Sequence, residues 1–346
     1  MALAQIVNDF ESPKDGGFYM PAEWETHDRC WMIWPHRDEY WSGSHRETQL
    51  AYARVARAIR QFEPVSMLVT PAALSEAREY LGSSIDLVEM ATDQAWARDS
   101  GPNFLVNNHG ESAGSSWQFN AWGGKYRHYA NDALLGDRLL ASLGMKNFTS
   151  SLYCEGGAVS VDGQGTILTT ESCLLNKNRN AGLRKSQIEE ELCRTLGGDK
   201  VIWLSGNPPD SETDGHVDGS VVFVKPGVVL LQKVPGDEQY HAENMAVLEN
   251  TLDAKGRKLE IYVVEAAVDA QGKGDKFCRS YVNTYLANGG VVMPKYGIAA
   301  DDQAYAVFAE IFPDRKIVQV PIDDIAIGGG GIHCITQQQP TPRRVR

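Results

Sequence analysis

The sequence lacks most of the marks of specialised protein classes. No run of about 18 apolar residues, the length a bilayer-spanning helix needs, occurs anywhere in its 346 residues. The segment Met1 to Gly17 is polar and acidic, with no apolar stretch of signal-peptide length. Six cysteines, Cys30, Cys154, Cys173, Cys193, Cys278 and Cys334, lie far apart with no CxxC pair. That spacing offers neither a disulfide framework nor a zinc knuckle. These absences point away from a membrane and toward a reducing, cytoplasmic compartment. Basic charge is also scarce: the formal net charge is -12, and only Arg343, Arg344 and Arg346 cluster. Phosphate backbones recruit basic surfaces, so a nucleic-acid partner is not expected. An acidic field favours cationic small molecules, although the same charge could serve solubility alone.

What is present describes a folded protein. Apolar residues at 42% with 23% charged can bury a large core. The length suits two average domains or one larger repeat-built domain. Between Ser44 and Phe62, Leu50, Val55, Ala56 and Ile59 recur at helical spacing behind a serine cap. A strand from Pro64 to Thr70, a proline-opened helix from Pro71 to Leu81 and a strand from Ile85 to Met90 follow. The same grammar returns as a hairpin over Val159 to Thr170 turning at Asp162 and Gly163, a helix over Lys185 to Leu196 and a strand over Val201 to Leu204. It returns again with strands Val217 to Val224 and Val228 to Leu231, a helix near Ala242 to Leu252 and a strand Leu259 to Val264. A last block has strands Tyr281 to Leu286 and Gly289 to Pro294, a helix Asp301 to Phe312 and a strand Ile317 to Val320. No Pro/Ser-rich linker separates the blocks. Each unit has an apolar face that only a neighbour can cover, which predicts one closed, pseudosymmetric α/β domain over residues 1–346. Short flexible ends are expected at about 1–15 and 341–346. A single open α/β sheet is the alternative.

Polar or reactive residues stand where these units begin: Trp96-Ala97-Arg98-Asp99, Glu155-Gly156-Gly157, His216-Val217-Asp218 and Gly331-Ile332-His333-Cys334. If the units pack around an axis, two or three carboxylates, an imidazole and a thiol converge on one cavity. A free cysteine is more often inert core than nucleophile. Of the six, only Cys334 follows a four-glycine run, Gly328 to Gly331, which either lets a ligand approach closely or merely shapes a turn. The His-x-Asp spacing puts His216 and Asp218 on one face of a strand. A structural ion pair or a pair of metal ligands competes there, but no second histidine stands at ligand spacing. Arg98-Asp99 could be a simple salt bridge, and Glu155 part of a surface turn. His27, His36, His109 and His128 read as surface or loop residues.

Several strings resemble a known family: WARDSGPNFLV, FNAWGGKY, CEGGAVSVDGQGTILTTESCLLNKNRN, TDGHVDGSVVFVKPGVVLLQ and GGGGIHCITQQQP. From about Pro21 to Pro340 the sequence is similar to agmatine deiminases, a branch of the guanidino-group-modifying superfamily. The resemblance implies a five-bladed, pentein-like α/β propeller with a central active-site cavity, no cofactor, no metal, and conversion of agmatine to N-carbamoylputrescine. It also implies a homo-oligomer, dimer or tetramer. Carried onto this sequence, the motifs imply Cys334 as nucleophile, His216 as acid/base, Asp218 and Asp99 as guanidinium-binding carboxylates, and Glu155 as support for the histidine or substrate. Gly331 joins them as a substrate-binding backbone position. Gly219 stands where many members have asparagine, and the segment after AWGGKY is short; both departures bear on the amine end.

The chemistry suits these groups. A guanidinium is planar, cationic and a poor electrophile, and paired carboxylates accept its N–H fork while favouring a charge-localised adduct. Thiolate attacks, and carboxylates near a thiol of reference pKa about 8.5 oppose its ionisation until the substrate's own charge reverses the field. The thiol proton is expected to pass to His216, which then protonates the leaving nitrogen and later activates water. Glu212 and Asp214, with Trp96 as an apolar or cation-π wall, suit an ammonium at the far end. Arginine deimination, amidino transfer, a non-catalytic ligand-binding propeller and a Cys/His/Asp metal site are the competing readings.

Overall fold

The computed structural model describes residues 12–37, 45–206, 210–270, 274 and 276–344. The Ser44 cap and Arg346 lie outside the described residues, as do most of the expected flexible ends.

The strands in chain order are β1 (His27–Ile33), β2 (Val65–Val69), β3 (Asp86–Glu89), β4 (Asn103–Val106), β5 (Ser112–Gln118), β6 (Lys146–Tyr153), β7 (Ser160–Val161) and β8 (Thr166–Thr170). After them come β9 (Lys200–Leu204), β10 (Val221–Lys225), β11 (Val228–Lys233), β12 (Glu260–Glu265), β13 (Tyr285–Ala287), β14 (Gly290–Lys295), β15 (Lys316–Pro321) and β16 (Gln337–Pro340). They form five sheets, one of order β16-β1-β2-β3 and four of three consecutive strands each. The single open sheet is thereby excluded.

Every sheet repeats one plan. An antiparallel pair comes first (β4/β5, β7/β8, β10/β11, β13/β14), then a parallel partner (β6, β9, β12, β15). In the first sheet the antiparallel partner of β1 is β16, from the other end of the chain, and β2 is the parallel partner. Parallel pairs need a crossover, and helices supply it. His45–Arg60 links β1 to β2, Leu135–Ser142 links β5 to β6, Lys185–Leu196 links β8 to β9, Glu238–Asn250 links β11 to β12, and Ala300–Ile311 links β14 to β15.

Local sequence accounts for these elements. His45–Arg60 buries Ala51, Tyr52, Val55, Ala56 and Ile59 along one face and carries Arg57 and Arg60 in its last turn, where cations offset the helix dipole. Lys185–Leu196 stops at Gly197, which adopts φ 68° and sits so close to the Phe18 carbonyl that a Cβ would lie 2.3 Å from it. β2 reads VSMLV and is buried throughout, as a strand covered on both faces should be. The buried apolar residues gather in three clusters, the largest joining the first and last sheets through Trp34, Met67, Tyr285 and Phe308.

Three local expectations change. The residues Val217–Gly219 form a 3₁₀ turn, so His216 and Asp218 do not alternate along a strand. The last hairpin begins only at Tyr285, leaving Tyr281 to Thr284 as an irregular bend. His27 is a buried member of β1, with its Nδ1 3.2 Å from Glu63, rather than a surface residue.

Candidate active site

One tight turn precedes the leading strand of each sheet's antiparallel pair, and each turn delivers one or two polar side chains. Asp99 lies in the single helical turn Ala97–Ser100 before β4. Glu155 caps the 3₁₀ turn Gly156–Ala158 before β7. His216 caps Val217–Gly219, with Asp218 inside that turn, before β10. Asn283 stands in the bend before β13, and Cys334 in the turn before β16. Turns can aim short side chains along the strand axis, which a pleated strand cannot.

These side chains meet. His216 Nε2 lies 3.2 Å from Glu155 Oε2, while Nδ1 faces Asp99 Oδ1 at 3.8 Å and Asp218 Oδ1 at 4.0 Å. The Cys334 thiol donates toward Asp218 Oδ2 at 3.7 Å and accepts from Asn283 Nδ2 at 3.2 Å. Asn283 Oδ1 also accepts the Cys334 amide N–H at 3.3 Å, so one carboxamide clips both ends of the nucleophile. Gly157 marks the middle of the constellation. A Cβ there would fall 2.6 Å from His216 Nδ1 and 2.9 Å from both Asp218 Oδ2 and Asp99 Oδ1. The bare Gly157 backbone thus packs directly against these groups, and His216 and Asp218 also face a cleft of about 320 Å³ whose lining includes Asn283, Gly330 and Cys334.

Buried charge of this density needs partners, because an unpaired ion costs several kcal/mol. Arg179 supplies Glu155, donating from Nε to Oε1 at 2.7 Å, and its Nη1 reaches Asp214 Oδ2 at 2.9 Å. His333 donates from Nδ1 to Asp218 Oδ2 at 2.8 Å and holds Glu23 through Nε2 at 2.7 Å. Trp122 Nε1 donates to Asp99 Oδ2 at 2.8 Å, and the Gly157 N–H to Oδ1 at 3.1 Å. Trp122 reaches Asp99 from a left-handed backbone, φ 55° after Ala121 at 56°. Left-handed non-glycine residues cost about 1–3 kcal/mol and persist where surroundings enforce them. Here Asn120 Oδ1 accepting the Gly123 N–H at 2.8 Å closes the turn.

The resulting protonation pattern has physical causes. Burial pushes the Cys334 thiol well above its ordinary range, and Asp218 and Asp99 push it further. Burial raises Asp99 too, with Asp218 and Glu155 adding to it and His216 and Trp122 opposing. Burial would raise Asp218, but the His333 hydrogen bond and charge bring it below the usual carboxylate range. Glu155 is likewise lowered, its burial outweighed by His216 and Arg179. Burial disfavours the charged form of His216, yet Asp99, Cys173 and Glu155 carry it well above the ordinary imidazole value.

Of the residues singled out in the sequence, Cys334, His216, Asp218, Asp99 and Glu155 come together. Arg98 does not pair with Asp99; it reaches Glu23 at 3.3 Å and Gln338 Oε1 at 2.7 Å. Trp96 and Glu212 line a recess beside Cys334, with Trp122 and Tyr126. Glu212 is already engaged, accepting from Tyr126 at 2.6 Å and facing Lys276 at 3.2 Å. Asp214 is spent on Arg179 and on Lys125 at 2.9 Å, so it does not present a free acceptor to the cleft. Gly331 packs against Asn283, whose Oδ1 would lie 2.6 Å from a Cβ. The thiol's hydrogen-bond acceptor is Asp218, not His216 as expected. Asn283, Arg179, Trp122 and His333 were not picked out. Three of them lie inside the quoted strings, and the motif neighbourhood was their only signal; Asn283, in an ordinary YVNTY run, had none.

Comparison with known proteins places the chain in a family. The family model described as Porphyromonas-type peptidyl-arginine deiminase matches residues 19–340. The agmatine deiminase of Ectopseudomonas mendocina (strain ymp) is 42% identical over 361 residues, spanning 96% of this chain and 98% of that one. The solved agmatine deiminase of Enterococcus faecalis superposes with a TM-score of 0.92 at 36% identity, over 96% of this chain and 98% of the other. DDAH from Pseudomonas aeruginosa, at 11% identity, shares the fold alone, with a TM-score of 0.51 over 90% of this chain and 99% of that one. The fold is thus α/β. The chain belongs to the Porphyromonas-type peptidyl-arginine deiminase family, on its agmatine deiminase branch. No helix among the described residues is long and apolar enough to cross a membrane.

Proposed function

We propose that the protein is a hydrolase of amidine carbon–nitrogen bonds that converts agmatine to N-carbamoylputrescine and ammonia through a covalent intermediate on Cys334. The observation that carries the reading is the meeting of His216 Nδ1, Asp99 and Asp218 around the side-chain-free Gly157, beside the Cys334 thiol. A guanidinium entering from the cleft beside Cys334 presents its N–H fork to Asp99 and Asp218, and charge-assisted pairing holds its plane.

The thiol starts neutral, held by burial and two carboxylates. Arrival of a cation between those carboxylates reverses the local field, and the S–H proton leaves along its hydrogen bond to Asp218. The thiolate, steadied by Asn283 Nδ2, adds to the guanidinium carbon and forms a C–S bond. His216, charged through Asp99 and Glu155, gives a proton to the departing nitrogen, ammonia leaves, and a thiouronium remains. Water then adds with His216 as base, the C–S bond breaks, Asp218 returns its proton to the sulfur, and the urea product departs after its hydroxyl proton is lost to the released ammonia. Glu155 anchors Nε2, so Nδ1 is the nitrogen that exchanges protons.

At the far end of the recess Glu212 meets the substrate's ammonium by exchanging its Lys276 partner, with Trp96 as the apolar wall; Asp214 takes no part. Arginine is the second reading, because Lys276 and Arg279 line the same cleft and could meet a carboxylate. Ammonia release from a panel of guanidines separates the two: agmatine should have much the higher kcat/KM, and arginine equal or better would overturn the first reading. The repeated plan of five sheets, with the two chain ends sharing one sheet, supports a single closed five-bladed propeller domain around this site. Six free cysteines support a reducing, cytoplasmic location, and the net charge of -12 argues against a nucleic-acid partner. The family likeness supports a dimer or tetramer, which sedimentation or light scattering would read.

A further inference from the structure

Cys173 touches no reacting atom and acts only through His216, and it is wholly buried in the short helix Glu171–Leu174 that follows β8. Its sulfur, a Glu155 carboxylate oxygen and a His216 ring nitrogen all lie within 4.8 Å of one another, the one such triad among the described residues. We propose that Glu155, Cys173 and His216 form a binding site for a thiophilic divalent cation of the zinc and cadmium type, whose occupation switches the enzyme off.

The donors fit such an ion. Metal–ligand bonds of about 2.1 Å at the tetrahedral angle put neighbouring donors about 3.4 Å apart, and Glu155 Oε2 already lies 3.2 Å from His216 Nε2. One sulfur, one imidazole nitrogen and one carboxylate oxygen select zinc or cadmium over magnesium or calcium, which prefer all-oxygen sites. Thiolate and carboxylate together balance the ion's two charges. Arg179 binds the other Glu155 oxygen, Oε1, leaving Oε2 open to the metal and fixing its orientation as an outer partner should. Arg179's own charge is shared with Asp214 at 2.9 Å, which limits its repulsion of the ion. Of the three donors, His216 lines the cleft, so an ion approaches from that side.

Inhibition follows from which nitrogen is taken, and this consequence alone rests on the proposed function. Coordination through Nε2 leaves the imidazole with a single proton on Nδ1, so it cannot pass through the imidazolium that acid/base cycling needs. The ion also adds positive charge behind the guanidinium seat.

The test is cadmium titration of the Cys334→Ser protein, in which the nucleophilic sulfur cannot bind the probe. One equivalent of Cd2+ should produce the ultraviolet cadmium–thiolate charge-transfer band and raise Tm. Adding Cys173→Ala should abolish the band and weaken cadmium affinity by more than about tenfold; adding Cys278→Ala, which removes the other cleft-lining thiol, should leave both intact. A band that survives loss of Cys173, follows Cys278, or never forms in Cys334→Ser overturns the site. Cys173→Ser, checked by circular dichroism, replaces the alanine variant if that one does not fold. Agmatine turnover by the unsubstituted protein is read separately. Absent turnover with intact cadmium stoichiometry sinks the enzymatic reading alone, and the converse sinks the metal site alone.

Discussion

Gly157→Ala adds one methyl group where the backbone packs against the three groups that should hold the substrate's cation. The new carbon would lie 2.6 Å from His216 Nδ1 and 2.9 Å from both Asp218 Oδ2 and Asp99 Oδ1, each well inside van der Waals contact. Those three groups cannot retreat freely, because Glu155, His333 and Trp122 hold them at 3.2, 2.8 and 2.8 Å. Relief therefore takes a shift of about 0.5–1 Å across the site, and a displacement of that size costs about 100-fold in rate. Misplacement of the two carboxylates that should grip the guanidinium compounds it, so kcat/KM for agmatine should fall by at least about 1,000-fold, or about 4 kcal/mol. Overpacking of this kind destabilises by about 1–3 kcal/mol, which at this chain length lowers Tm by several degrees without unfolding the protein. Steady-state ammonia release alongside a thermal melt reads both. Gly182→Ala is the control, since Gly182 is exposed, has nothing within 4 Å of its Cβ position and should behave as the unsubstituted protein. Near-normal kcat/KM in a folded Gly157→Ala protein would refute the placement of the cation between Asp99, Asp218 and His216.

Trp122→Phe keeps the ring but removes the N–H that Asp99 accepts; hydrogen bonds to charged groups contribute about 1.5–3 kcal/mol, so kcat/KM should drop about 10- to 100-fold. Because that bond opposes the upward shift of Asp99, its loss should also move the acid limb of the pH–rate profile to higher pH, and an unmoved limb would count against Asp99 as a substrate carboxylate. Arg179→Met leaves Glu155 buried without its cation, and a loss of about 3–5 kcal/mol in chemical denaturation is expected. Glu23 has its carboxyl brought from 4.5 to about 2, burial being outweighed by His333 and Arg98. A lowered carboxylate stabilises above its unfolded value and loses that contribution as pH falls from 4.5 toward about 2, here about 3 kcal/mol. Glu23→Gln should flatten stability across that window, and an unchanged acid slope would contradict the pairing.

The parts of the fold legible in the sequence were those whose burial has a period. The helix Lys185–Leu196 and the strands β11 and β14 follow apolar patterns, and a left-handed glycine marks where that helix must end. β5 and β16 were not legible. β5 reads SAGSSWQ and β16 reads QQQP, so polar residues there are buried by pairing and by side-chain hydrogen bonds such as Gln338 Oε1 with Arg98. Nothing in their local composition announces a strand, and without β16 the sharing of one sheet by both chain ends could not be seen. The site divides in the same way. Asp99, Glu155, His216, Asp218 and Cys334 stood out because reactive residues recur at unit heads, whereas Asn283 occupies the remaining head, before β13, and looks like ordinary strand sequence. Asp214 stands apart for a related reason: a place in DGHVD says nothing of direction, and Lys125 and Arg179 pair with its carboxylate.

The central claim is that the Cys334 sulfur bonds to the guanidinium carbon of agmatine. Rapid acid quench during turnover, followed by mass spectrometry of the digested protein, tests it most directly. The Cys334 peptide should carry the mass of agmatine less ammonia, transiently and only in the presence of substrate. An adduct on another cysteine, or steady turnover in Cys334→Ser with no adduct anywhere, would contradict the account.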